Sequence, residues 1–481
     1  MANLANLEFM PAWLLALHVL AELFLIGRVL LRPYRDPSAR IAWLVVLVTL
    51  PVIGIVLYLL FGETSIGRRY IERRHAVVAE LAAADSLVPA HVVDRSVSHL
   101  FEIGASINGY QPCPGNAFSF PDGADATIDA LVADIDAACE HVHLLFYIWL
   151  ADRNGLRVVE AICRAAQRGV RCRVMVDAVG SRALLKSRHW QAMTDAGATT
   201  AQALPVGNPA LHVFFGRVDL RNHRKIVVID HAITYTGSQN CADAAFAPKA
   251  KYAPWVDTMM RFVGPIARQN QHLFVADWMT YADEDCSALL AAPLPAPRGD
   301  LLAQAIGTGP TERYSASPEL ICSLLHAARE RLVITTPYFI PDDALLLALC
   351  SAAYRGIDIQ IVFPARNDSK IVAAASRSYY HELLTAGVKI HEYEKGLLHA
   401  KTLTVDDNIT LIGSTNLDRR SFDLNYENNL LLYSTQATSA VRARQQRFIG
   451  DSRCVTLTEV NAVTRPRRAW RNALAMLGPV L

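Results

Sequence analysis

The chain lacks several features that would point to common classes of protein. Its charges nearly cancel: 47 Lys and Arg against 45 Asp and Glu leave a formal net charge of +2. No overall basic character therefore marks a nucleic-acid binder, and no nucleic-acid partner is expected. The nine cysteines are scattered without a CxxC pair or Cys/His spacing, so no zinc pattern is legible. Their odd number argues for reduced thiols over a disulfide framework. There is no HExxH and no carboxylate cluster, so no metal or other cofactor is expected.

Apolar residues are plentiful. Hydrophobic types make up 52% of 481 residues, and the mean hydropathy is positive. A chain of this length exceeds one ordinary core, which predicts two or three units. Two apolar runs, Pro11–Leu31 and Ile41–Phe61, each approach the ~20 residues that cross a bilayer as a helix. No small-residue cleavage site follows the first, which argues against a removable signal peptide. Residues 1–62 thus read as a helical hairpin in a membrane, the alternative being two buried helices of a soluble core. His18, Glu22 and Arg28 interrupt the first run. A charge near mid-membrane costs about 2–3 kcal/mol unless paired. Pro51 and Gly54 interrupt the second run, so a shallow re-entrant hairpin competes with two full spans. Arginines lie both in the connector and after the second run, so the positive-inside rule gives no orientation.

Residues 63–109 are charged and helical in pattern and suit a connecting segment along the membrane surface. Beyond them strands and helices alternate, and the alternation occurs twice. "HVHLLFYIWLAD", "GLRVVEAICRAAQRGV" and "RCRVMVDAVG" are answered by "RLVITTPYFIPDD", "ALLLALCSAAYRGI" and "DIQIVFPARND". The chain reads as a duplicated α/β protein with mainly parallel sheets. One half covers 110–285 and the other 300–465, joined by "APLPAPRGD". A basic and apolar tail, 466–481, follows. Arg465, Arg467, Arg468 and Arg471 surround Trp470 there, which suits either an anionic membrane surface or a helix packed on the core.

The duplication extends to one detailed pattern. "HRKIVVIDHAITYTGSQN" (His223 to Asn240) and "HAKTLTVDDNITLIGSTN" (His399 to Asn416) repeat His, Lys, Asp, Gly, Ser and Asn at one spacing. Each reads as two antiparallel strands with a two-residue turn, His231-Ala232 or Asp407-Asn408. That register sets Lys225 opposite Ser238 and His223 opposite Asn240. It likewise sets Lys401 opposite Ser414 and His399 opposite Asn416. His and Lys, two apart, share one strand face. Each hairpin can then gather an imidazole, an ammonium, a hydroxyl and an amide around one anion. Asp230 and Asp406 lie seven residues from their histidines, roughly 23 Å along a strand and on the other face, and are expected to hold the turn.

Such a set suits attack on a phosphodiester. Two lysines and the Ser/Asn donors stabilise the charge of five-coordinate phosphorus. One histidine attacks phosphorus while the other protonates the leaving alkoxide and later deprotonates the acceptor. Each histidine needs a carboxylate on its second nitrogen. Asp257 in "PWVDTMMRF" and Glu427 in "NYENNLLLY" are the candidates.

The doubled HxKxxxxDxxxxxxGSxN resembles the phospholipase D superfamily. "AWLVVLVTLPVIGIVLYLLFG", "VDLRNHRKIVVID", "TTPYFIPDD" and "LLHAKTLTVDD" are similar to bacterial cardiolipin synthases, and the likeness covers most of the chain. It implies two phospholipase D-like α/β halves in one catalytic module behind a membrane hairpin. It implies that His223, Lys225, Asp230, His399, Lys401 and Asp406 are the motif residues, with His223 as nucleophile. Asp257 and Glu427 fall where the superfamily has its histidine-orienting acids. The implied reaction moves a phosphatidyl group between two phosphatidylglycerol molecules, giving cardiolipin and glycerol at the bacterial inner membrane. "CADAAFAPKAKYAPW" departs from the commoner glycine-rich version. A hydrolase, a transferase using another head group, or a tethered nucleic-acid phosphodiesterase are the competing readings; the sequence leaves the oligomeric state open.

Overall fold

The computed structural model describes residues 11–33, 37–63, 67–84, 93–205, 217 and 219–476. Single terminal residues aside, it forms two compact units: Met1–Arg68 with Val206–Leu220, and the rest of the chain.

In the smaller unit the first apolar run is one helix, α1 (Ala12–Leu31), long and apolar enough to cross a membrane and mostly unburied. The second run is not one helix. It divides into α2 (Pro37–Thr49) and α3 (Pro51–Phe61). Proline has no N–H to donate, so the helical ladder restarts at position 51. Leu50 sits at the break with φ −123° and ψ 71°. Leu25, Val29, Leu47 and Tyr58 are buried together and hold the three helices to one another. Arg28 gains a partner from beyond α3: its Nη2 donates to Glu63 Oε2 at 2.7 Å, and Arg32 reaches the same oxygen at 2.5 Å. Pairing offsets part of what an arginine in an apolar run costs. Arg217, drawn from the first half of the sequence, also belongs to this unit and donates to the Phe61 carbonyl.

Twenty described strands build the larger unit, sixteen of them in one sheet and four in two separate pairs. The first half supplies β1 (Cys113–Ser119), β2 (His141–Phe146), β3 (Arg171–Asp177), β4 (Thr199–Ala203) and β5 (Arg221–Asn222). It continues with β6 (Ile226–Ile229), β7 (Ile233–Gly237), β8 (Trp255–Val256) and β9 (Met259–Val263). The second supplies β10 (Leu301–Thr308), β11 (Arg331–Thr335), β12 (Phe339–Ile340), β13 (Asp358–Pro364), β14 (Lys389–Tyr393) and β15 (Leu397–Leu398). It ends with β16 (Thr402–Val405), β17 (Ile409–Gly413), β18 (Leu417–Asp418), β19 (Asn425–Tyr433) and β20 (Ser452–Val455). From the central antiparallel pair β1–β10 the sheet runs outward as β9-β7-β6-β2-β3-β4 on one side. On the other it runs β19-β17-β16-β11-β13-β14, closed by β20. The order is the same on both sides, as a duplication requires.

The sheet is mixed, against the expectation of mainly parallel strands. Only β2-β3-β4 and β11-β13-β14 pair in parallel within each arm. There helices such as Arg153–Gln167 and Asp343–Tyr354 give the chain length enough to cross back. The motif strands are joined by short loops, which allow antiparallel pairing alone. Residues 63–109 also differ from a surface connector. In α4 (Arg68–Ala84) Val77 and Leu81 are buried in the larger unit, and in α5 (Ser98–Asn108) Leu100, Phe101 and Ile107 join the core of the second half.

Candidate active site

The motif hairpins form one residue out of the expected register. Ile229 pairs with Ile233 and Ile226 with Thr236; Val405 pairs with Ile409 and Thr402 with Ile412. Continued by one step, Lys225 lies opposite Gly237 and Lys401 opposite Gly413, not opposite the serines. The cause lies in the loops, which have three residues because the motif Asp turns the chain. Asp230 and Asp406 have φ of 45° and 44°, and His231 has 58°. Each carboxylate is held in place by three backbone N–H donors. Asp230 accepts from Cys139, Glu140 and His141 at 2.8–2.9 Å; Asp406 accepts from Arg329, Glu330 and Arg331 at 2.8–3.0 Å. Both therefore sit at the start of β2 and β11, apart from the histidines. The glycine opposite each lysine answers a close approach: a Cβ on Gly237 would lie 2.2 Å from the Thr258 carbonyl, and on Gly413 2.3 Å from that of Asn428.

Two short parallel ladders cross between the halves. β5 pairs with the start of β19, Arg221 with Asn425 and Asn222 with Tyr426. β15 pairs with β8, Leu397 with Trp255 and Leu398 with Val256. One position further along, His223 meets Glu427 and His399 meets Asp257. The His223 Nδ1 lies 2.9 and 3.0 Å from the two Glu427 oxygens, and the His399 Nδ1 lies 2.7 Å from Asp257 Oδ1. Each histidine is thus oriented by the acid of the other half. Lys225 and Lys401 are buried beside them, each donating to its own histidine's carbonyl at 2.6 Å.

Burial sets the charge states. Desolvation, reinforced by both lysines, drives His223 down to about 4 and lowers His399 as well. Both rings are neutral at pH 7, with Nδ1–H donated to a carboxylate and Nε2 left basic. Burial alone would raise Asp257 and Glu427; the facing histidine and the lysines outweigh it and hold both below their ordinary values. Desolvation brings Lys225 down to about 8 and Lys401 to about 7. An anion entering between them restores the ammonium charge it needs.

The remaining motif residues have protein partners of their own. Ser238 donates to Asp257 Oδ1 at 2.6 Å, and Ser414 donates to Glu427 Oε2. Each serine oxygen also accepts a backbone N–H, from Thr258 and from Asn428. They buttress the acids, and the one-residue slip turns them that way. Asn240 Oδ1 accepts from the Ile148 N–H at 3.1 Å, and Asn416 Nδ2 donates to Ser421 at 3.0 Å. Among the described residues no group of three or more His, Cys, Asp and Glu side chains could hold a metal ion.

Several neighbours went unread in the sequence. Arg224, between His223 and Lys225, is fully buried. It donates to Asp277 at 2.7 Å, to the Glu427 carbonyl at 3.1 Å and to the Thr308 carbonyl at 3.3 Å. Asp277 also receives Arg74 at 2.8 Å and Asn222 at 2.9 Å. The second copy has Ala400 where the first has Arg224. His399 instead lies between Trp255, with ring centroids 4.8 Å apart, and Tyr338 at 6.4 Å. The Tyr338 hydroxyl donates to Asp368 at 2.7 Å, and Lys249 pairs with the same carboxylate at 2.5 Å. Lys249 belongs to the atypical "APKAKY" stretch. Tyr147 stands beside His223 as an edge contact at 4.8 Å.

Two repeats of one α/β arm, each giving a His-x-Lys to a shared centre, define the phospholipase D-like class. A family profile described as "Cardiolipin synthase, PLD-like domain" matches residues 131–278 and 321–449. A second, "Phospholipase_D-nuclease N-terminal", matches 23–63. Cardiolipin synthase A of Edwardsiella ictaluri is 37% identical over 440 residues, covering 88% of this chain and 89% of that one. Cardiolipin synthase A of Yersinia pestis is 37% identical over 422 residues, covering 84% and 85%. The crystal structure of phosphatidylserine synthase from Haemophilus influenzae shares the fold, with a TM-score of 0.58 at 15% identity, over 80% of this chain and all of that one. The chain belongs to the cardiolipin synthase family of phospholipase D-like enzymes.

Proposed function

We propose that the protein is a cardiolipin synthase that moves a phosphatidyl group between two phosphatidylglycerol molecules through a phosphatidyl-histidine intermediate. The observation that carries this is the crossed pair of neutral imidazoles, each tied through Nδ1 to the other half's carboxylate, beside two buried lysines. Nε2 of His223 attacks phosphorus, and the bond to the glycerol head group breaks. The entering phosphodiester anion favours the charged imidazolium, so His399 takes up a proton on substrate binding and gives it from Nε2 to the departing alkoxide. A hydroxyl of the second phosphatidylglycerol then returns a proton to His399 and attacks phosphorus, breaking the P–N bond and forming cardiolipin. Lys225 and Lys401 stabilise the charge that develops on the phosphoryl oxygens. Asp230 and Asp406 act at a distance, by fixing their hairpins.

Residues 1–62 serve as the anchor in the bacterial inner membrane, as a multi-pass or re-entrant hairpin, and the bilayer supplies both substrates. The halves at 110–285 and 300–465 form the catalytic module.

Labelled phosphatidylglycerol supplied alone in detergent tests the reading. Cardiolipin and glycerol in equal amounts are expected. Phosphatidic acid as the main product would make the enzyme a hydrolase, and no turnover would reject lipid transfer.

A further inference from the structure

Substrates held in a bilayer must reach two buried histidines, so the mouth of the site has to meet lipid; this inference rests on the reading above. The C-terminal ends of the parallel strands border the site: Tyr147 follows β2 beside His223 and Tyr338 follows β11 near His399. β13 ends at the same edge, and the chain after it returns to the site: Asp368 accepts the Tyr338 hydroxyl. Around that contact Arg366, Lys370 and Ile371 are exposed, Ile371 by 43%. The helix Lys370–Ser376 that they begin packs against the last helix of the chain, Arg465–Ala475.

That last helix is unlike one recruited to cover a core. Its eleven residues, RPRRAWRNALA, contain four arginines and no acid, and only Leu474 is buried. Trp470 leaves 63% of its surface exposed, and Arg467 and Arg468 lie exposed with it. An indole costs little at a headgroup layer, where its body meets acyl chains and its N–H meets water. Clustered arginines beside it are attracted by anionic headgroups. A neutral surface would gain nothing from them.

We propose that this rim, the two packed helices with Arg366, Lys370, Ile371, Arg467, Arg468 and Trp470, docks on an anionic phospholipid bilayer and holds the mouth of the site against it. The docking works by charge and an inserted indole, and it orients the larger unit.

The full chain reconstituted in bilayers of brominated lipid provides the test, with Trp470→Phe subtracted to isolate one emission. Trp470 should be quenched strongly by brominated phosphatidylglycerol and several-fold less by brominated phosphatidylcholine. Equal quenching in both, or none, would overturn the proposal. Arg467→Glu with Arg468→Glu should raise KM for bilayer phosphatidylglycerol at least ~10-fold. Turnover of short-chain phosphatidylglycerol dispersed as monomers should stay unchanged. An equal loss on the monomeric substrate would make the helix a structural brace and end the docking claim. Wild-type enzyme inactive on both substrates would instead sink the functional reading, and quenching would still decide docking.

Discussion

The two histidines occupy matching places in a duplicated sheet, and their surroundings differ. His223 is flanked by Asn222 and Arg224, which share Asp277 with Arg74, all buried. Arg224 also grips the carbonyl of Glu427, the acid that orients His223. His399 has Ala400 beside it and faces Trp255 and Tyr338, with the half-exposed Lys249 paired to the buried Asp368 carboxylate at its edge. Duplication kept the reacting pair in both copies. Divergence backed one ring with a buried guanidinium and packed the other, which is just as buried, against aromatic rings. On the proposed mechanism, a nucleophile that must meet phosphorus in line gains from such backing.

The largest effect should come from the histidines. Either alanine substitution should cut lipid transfer by on the order of 10⁴-fold, but with an activated aryl ester the two should part. That leaving group needs no proton, so His399→Ala should accumulate a phosphorus adduct on His223, located by mass spectrometry. An adduct on His399 in the His223→Ala enzyme would reverse the comparison.

Asp277→Asn attacks the backed side alone. Two buried guanidiniums lose their shared charge, costing about 3–5 kcal/mol, and His223 loses its backing. Adduct formation by the folded fraction should slow about 100-fold, read by quenched flow. If it is unchanged, Arg224 and Asp277 are stability elements only.

The lysines give the comparison a pH axis. Lys401 at about 7 and Lys225 at about 8 lose positive charge as pH rises, so kcat/KM should fall roughly tenfold per unit between pH 7 and 8 and approach a hundredfold per unit above pH 8. His223 at about 4 stays neutral well below that range. Lys401→Arg should move the alkaline limb upward, and Lys225→Arg should leave its lower part in place. A limb that neither variant moves belongs to another group.

Asp230→Asn and Asp406→Asn should each cost about 2 kcal/mol, since a carboxylate that gathers three N–H donors is weakened. Activity per folded molecule should stay near wild type, whereas Lys225→Ala should lose activity with its melting temperature unchanged. A stable but inactive Asp230→Asn enzyme would bring that carboxylate into the chemistry. Smallest of all is Lys249→Ala. Lys249 is itself half exposed, so solvent screens its side of the pair, while Asp368 keeps the Tyr338 hydroxyl, and turnover should stay within about threefold. A larger loss would show that the edge beside His399 is as constrained as the back of His223.

Much of the site could be read from letters because the same six residue types recur at one spacing. The distance from His to Asp along a strand was enough to separate the two roles. The hairpin register was not legible. It depends on Asp230 and Asp406 taking positive φ to collect three N–H groups, which a simple alternation of faces does not contain. The hydrogen bonds from the serines to the acids came with that slip. The break at Pro51 was legible, since proline cannot continue a helix; the mixed sheet was not, because alternation of strands and helices describes only the outer arms.

The amino-acid sequence by itself determined that there are two repeats, two His-x-Lys pairs, two acids and an apolar N-terminal segment, all of them matters of residue type and spacing. Only the tertiary structure decided which acid serves which histidine. His223 and Glu427 are 204 residues apart, and His399 and Asp257 are 142. They meet because two-residue parallel ladders cross between the halves. Arg74 and Asp277 likewise become partners of Arg224 through burial around one carboxylate, since an unpaired buried charge is costly and the fold brings the three together.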